Sequence, residues 1–140
     1  MIYFSVADIE FDPDDAPKLK KWISEVINVY GKTTGRISYL FCSDQMIHEW
    51  NLRYLNHDTY TDIITFDNVN GGLISGDIII SIDRVGENAK KFGVDFEQEF
   101  HRVLIHGVLH LLGFKDKSDE ESAIMRQKEN EALQILTTMR

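Results

Sequence analysis

Apolar residues recur along this chain with two periods, about 2 and about 3.6, and the switches between them mark out the elements. The opening IYFSV reads as a strand. Leu19, Trp22, Ile23, Val26 and Tyr30 then fall on one helical face; Asp14 or Asp15 can cap that helix, Pro17 suits its first turn and Gly31 ends it. RISYLFC reads as a second strand, and Ser43 or Asp44 can cap the helix QMIHEWNLRYL. YTDIITFD, full of β-branched and aromatic residues, predicts a third strand. Gly71-Gly72 marks a turn, and GDIIISI is apolar enough for the middle of a sheet. Asp83 opens a helix that runs to Phe92 and ends at Gly93. A longer helix is expected over 95–112, with Phe100, Val103, Leu104, Val108 and Leu111 as its apolar positions and Gly113 as its stop. Ser118 and Glu121 match a capping box for a last helix. The expected class is α+β: a small sheet covered by helices, with residues 1–140 forming a single domain.

Composition narrows the setting. Hydrophobic residues make up 43% of the 140 and charged residues 27%, as in ordinary globular proteins. No apolar run approaches the ~20 residues of a membrane span, and the start lacks the basic and apolar regions of a signal peptide. Cys42 is the one cysteine, so no internal disulfide forms; the expected compartment is cytoplasmic, with Cys42 a small buried hydrophobe. The formal net charge of −8 works against approach to a phosphate backbone. A nucleic-acid ligand would need a local basic patch, a bound metal or a partner to deliver it.

The segment HGVLHLLGFKD, residues 106–116, carries the candidate chemistry. On a helix, His106 and His110 point the same way, about 6 Å apart along the axis, so both can offer nitrogen to one ion. Gly113 permits a sharp exit, and Asp116 follows three residues later, placed to return a carboxylate. Two histidines and one acid leave a coordination position open, the layout of a catalytic zinc site. The alternative is an apolar helix face that merely absorbs two histidines. Peptidases of the H-E-x-x-H kind carry glutamate directly after the first histidine; here that position is Gly107. His101 lies on another side of the helix, and His48 and His57 lack a matching partner.

HGVLHLLGF closely resembles the signature H-G-x-L-H-L-x-G-Y-D-H of the bacterial YbeY family. NLRYLNHDTYTDIITF resembles the family's N-x-x-Y-R-x-x-D-x-x-T-D-V-L-S-F, SGDIIIS its G-D-I-x-I-S strand, and MRQKENEAL its closing M-x-x-x-E helix, so the likeness covers residues 41–133. The resemblance implies a small mixed sheet with helices and a zinc-hydrolase-like metal site on the long helix. It further implies a single-strand-specific, zinc-dependent endoribonuclease acting in rRNA processing, notably 16S rRNA 3′-end maturation, and in ribosome quality control. Its partners would be rRNA and the small ribosomal subunit, with a small-subunit ribosomal protein and the GTPase Era as further contacts. One Zn2+ is expected on His106, His110 and Asp116, the last standing where the family has a third histidine.

Departures from the family pattern bear on the site. Lys115 and Phe114 replace the usual aspartate and tyrosine. The family's substrate-facing arginine falls at Leu55; Arg53 is the expected catalytic substitute and Arg102 another candidate, against an ordinary surface salt bridge for each. Asp62 either hydrogen-bonds a ligating histidine or caps a turn; Thr61 also matches the family, and Met125 is expected in the core. Two rival functions stand beside the nuclease: a metal-dependent hydrolase of another class, peptidase-like, and a non-catalytic ribosome-assembly factor with a structural metal.

Overall fold

The computed structural model describes residues 1–55 and 61–139. The elements run β1 (Ile2–Val6), α1 (Ala16–Val29), β2 (Thr33–Cys42), α2 (Asp44–Leu55), β3 (Ile63–Asp67), β4 (Leu73–Ser81), α3 (Ile82–Phe92), α4 (Phe96–Leu111) and α5 (Asp119–Thr138). The expected order of strands and helices is observed. His57 and Tyr60, the latter the first residue expected of the third strand, lie outside the described residues.

The sheet order is β1-β2-β4-β3. β1 pairs parallel with β2 and β2 with β4, while β3 runs antiparallel to β4, so the sheet is mixed. Period-2 alternation decides what each face buries. Ile37, Tyr39 and Phe41 of β2, with Ile78 and Ile80 of β4, enter the main core with Trp22 of α1, Phe100 and Leu104 of α4, and Met125 and Ala132 of α5. Cys42, Ile64 and Ile79 face the other way and pack under α2 through Ile47. Burial pushes the Cys42 thiol up to about 12, in keeping with a packing role. Polar groups inside are satisfied across layers: Tyr39 OH donates to the Leu104 carbonyl, and Trp22 Nε1 to that of Ala132, each at 2.8 Å.

Helix α4 is the spine of the molecule. Phe100, Val103, Leu104, Val108 and Leu111 are all buried, each worth roughly 1.5–3 kcal/mol when withdrawn from water. Its axis comes close to the sheet at Gly107, where a Cβ would stand 2.9 Å from Ile78 Cδ1 and 3.1 Å from Ile63 Cδ1. Gly107→Val should therefore overpack this contact and destabilise by about 1–3 kcal/mol, read as a lower denaturation midpoint with an unchanged slope.

Several boundaries differ from the sequence reading, for local reasons. β2 begins at Thr33 and crosses a register irregularity between Thr34 and Ile37, a break the alternation of its later residues did not reveal. α3 starts at Ile82, one residue before Asp83, with Ser81 as its cap accepting from the Arg84 amide at 3.1 Å. Asp15 precedes α1 with φ 56° and makes no side-chain cap, while α4 and α5 start with full capping boxes at Asp95 and Ser118. Among the described residues no helix is long and apolar enough to cross a membrane.

Candidate metal centre

The last turns of α4 carry His106 and His110 with ring centroids 4.7 Å apart. Gly113 follows with φ 106°, a conformation that favours glycine, and the amides of Gly113 and Phe114 turn back onto the carbonyls of His110 and Leu109 at 3.0 Å each. The chain thereby reverses, and Ser122 Oγ fixes the turn by donating to the Asp116 carbonyl at 2.9 Å. Asp116 Oδ2 lies 3.3 Å from His106 Nε2, and Oδ1 lies 3.5 Å from His110 Nε2. One ligand atom from each of the three residues falls within 4.8 Å of the others. Tetrahedral zinc with bonds of 2.0–2.1 Å sets its ligand atoms about 3.3 Å apart. The two acid–histidine separations match such an ion, and the three residues, whose ligand atoms lie within 4.8 Å of one another, could hold one.

Behind the cage stands Glu129 of α5. Its Oε2 lies 2.6 Å from His106 Nδ1, and its Oε1 accepts from Arg102 Nη1 at 2.9 Å. An Nδ1 proton engaged by this carboxylate leaves the Nε2 lone pair facing Asp116, the tautomer a metal requires. The sequence reading quoted Glu129 within its closing-helix match but gave it no role. The missed signal was a glutamate four residues after the core residue Met125, hence on the inner side of α5.

Charge and burial set the proton affinities. For His106, burial opposes protonation, but the hydrogen bond and charge of Glu129, with Asp116, outweigh it and raise the pKa above 6.5. His110 goes the other way, lowered by burial and by the neighbouring His106. Burial pushes Glu129 up, yet the hydrogen bonds from His106 and Arg102 bring it below 4.5. The sign of each effect differs. In the metal-free protein, His106 contributes stability present below pH 6.5 and lost as pH rises through its folded pKa; Glu129 contributes stability present above pH 4.5 and lost as pH falls through its folded pKa. The pair should add most between pH 4.5 and 6.5. Thermal midpoints in chelator should show that excess for the wild type and lose it in Glu129→Gln.

The cage opens on a cavity of about 800 Å3 whose wall includes Leu55, Asp62, Phe92, Glu99, Arg102 and Arg126. Leu55, where the resemblance expects an arginine, is thus at the wall. Arg53 is exposed on α2 and is not among the lining residues. Arg102 lines the cavity but is engaged, bonding Glu129 and, through Nη2, Asn130 at 2.9 Å. Asp62 also lines it, raised by burial, and accepts from Asn88 Nδ2 at 3.4 Å rather than from a histidine. Thr61 bonds locally to Ile63. His101 packs edge-on against Trp22 and lies 3.4 Å from Glu97, away from the cage.

The chain is similar to known proteins over almost its whole length. The family described as Endoribonuclease YbeY matches residues 6–137. A protein named Endoribonuclease YbeY from Flavobacterium johnsoniae is 50% identical over 133 residues, covering 95% of each chain. One of the same name from Parabacteroides distasonis is 50% identical over 135 residues, covering 96% of this chain and 95% of its own. Among solved structures, the solution structure of a Thermotoga maritima protein superposes with a TM-score of 0.69 at 26% identity, covering 97% of this chain and 89% of that one.

Proposed function

Because the chain belongs to the Endoribonuclease YbeY family, we propose that it is a single-strand-specific, zinc-dependent endoribonuclease of ribosomal RNA. It would mature the 3′ end of 16S rRNA and serve ribosome quality control in the cytoplasm. The observation that carries this reading is the cage of His106, His110 and Asp116 at the mouth of an open, solvent-accessible cavity. A closed structural site would need a fourth protein ligand.

In this reading His106 and His110 hold one zinc ion through Nε2, and Asp116 through its carboxylate. When bound, the ion supplies positive charge that polarises a phosphodiester and lowers the pKa of a water to about 7. The protein's own groups do the rest. Glu129 keeps His106 in the ligating tautomer. His110, lowered by burial, stays neutral and available near neutral pH. Arg126 and Lys117 at the cavity wall, with Arg53 on the neighbouring surface of α2, draw the RNA phosphates inward against the overall charge of −8. A small-subunit ribosomal protein and the GTPase Era would deliver the rRNA and offset that charge.

The test is cleavage of a 16S precursor by the zinc-loaded protein, with an RNA duplex as control and analysis of product ends. Cleavage confined to single strands supports the reading, and no cleavage of either RNA overturns it. A 2′,3′-cyclic phosphate on the products would assign the attack to the RNA's own 2′-hydroxyl, and its absence to water.

A peptidase reading gains nothing from the geometry, because Gly107 lies against Ile78 and Ile63 where a glutamate has no room. One observation favours a non-catalytic assembly factor: the cavity wall presents Leu55 where the resemblance expects an arginine. A folded His110→Ala protein that still rescues rRNA processing in cells would establish that second reading.

A further inference from the structure

The acids of the cavity are not equivalent. Asp116 faces both histidines, Glu129 bonds His106 and Arg102, and Asp62 accepts from Asn88. Glu99 is different: it is 5% exposed, lines the same cavity, and has no hydrogen-bond or ion-pair partner among the described residues. A carboxylate that reaches a cavity with no partner of its own is available to a ligand carrying hydrogen-bond donors. Phe92, at the end of α3, lines this cavity too and is 54% exposed, so its ring is accessible to a ligand there.

Glu99 and His106 are seven residues apart on α4, two turns and about 10 Å along one face. That is the reach of a nucleoside whose phosphate sits at the cage. Arg102 and Arg126 act on Glu99 through space but pair with Glu129, so the Glu99 carboxylate, in the first turn of α4, holds no cation of its own. An anionic phosphate is repelled at the Glu99 end, while a neutral base with donors on its edge is not. Among the four bases guanine suits a carboxylate best, because its N1–H and N2–H lie side by side and match the two oxygens. Adenine and cytosine set one amino donor beside an acceptor nitrogen, and uracil flanks its N3–H with two carbonyls.

Resting on the nuclease reading of this cavity, we propose that Glu99 and Phe92 form a base subsite selecting guanine in the nucleotide adjoining the phosphate at the metal centre. Phe92 offers its ring to the face of the base, and Glu99 accepts from its Watson–Crick edge.

Calorimetric titration of the zinc-loaded protein with guanosine and uridine 5′-monophosphates tests this without any cleavage. The expected preference for the guanine nucleotide is about tenfold, as for one good two-bond contact. Glu99→Gln should abolish the preference, and Phe92→Ala should weaken both nucleotides by about tenfold. Equal binding of the two nucleotides by the wild type, or an undiminished preference in Glu99→Gln, overturns the proposal; undiminished affinity in Phe92→Ala, an exposed position that folding tolerates, overturns the stacking half. Mapping cuts in a uridine tract with single guanines separates the two readings. Cutting without regard to guanine defeats the subsite and leaves the nuclease intact. Guanine-selective binding with no cutting defeats the nuclease and leaves the subsite.

Discussion

Elemental analysis should find only background zinc in purified His110→Ala protein and close to one ion per chain in the wild type. His110 supplies one of three ligand atoms, and with it gone only a histidine and a carboxylate remain within reach of each other. Affinity should fall by more than the ~10–100-fold that loss of an outer hydrogen-bond partner costs. RNA cleavage should fall with it. The fold should survive, since His110 is half-buried at the rim and the apolar positions of α4 are untouched. An unchanged circular dichroism spectrum together with full zinc content would contradict the cage.

Glu129→Ala should weaken zinc binding by about 10–100-fold and also destabilise the metal-free protein. Both consequences come from one carboxylate, which is 7% exposed and serves His106 and Arg102 at once. Removing it frees the His106 ring to turn and leaves the Arg102 guanidinium without its ion-pair partner. Because His106 and Arg102 are themselves 19% and 23% exposed, the buried-pair cost is discounted, to roughly 1–3 kcal/mol. Competition with a fluorescent chelator measures the first effect and denaturant titration the second. Glu129→Gln, which keeps the shape but not the charge, should fall between alanine and wild type in affinity.

The elements that sequence made legible are those governed by period and caps. α4 is legible because its apolar spacing and the glycine that stops it agree, and the start of α5 because Ser118 and Glu121 form a capping box. The irregularity in β2 was not legible, because it is a property of pairing with β4 rather than of β2 alone. The same division runs through the site. His106, His110, Gly113 and Asp116 lie close along the chain, so helix geometry and one turn bring them together. Glu129 and Asp62 meet the cage only because α4 packs against α5 and β3, contacts that no local pattern announces. Arg53 shows the converse: closeness in sequence to Leu55 does not place it on the cavity wall, because neighbouring helical residues face different ways.

The order of parts along the chain has a consequence for synthesis. All four strands precede α4, and the carboxylate that steadies His106 belongs to the final helix. While the polypeptide is still emerging, the platform under the histidines can already be in place, but their brace has yet to be made. A chain that has not yet made α5 should therefore hold a metal ion more weakly. The centre therefore gains its brace only once α5 has packed against α4.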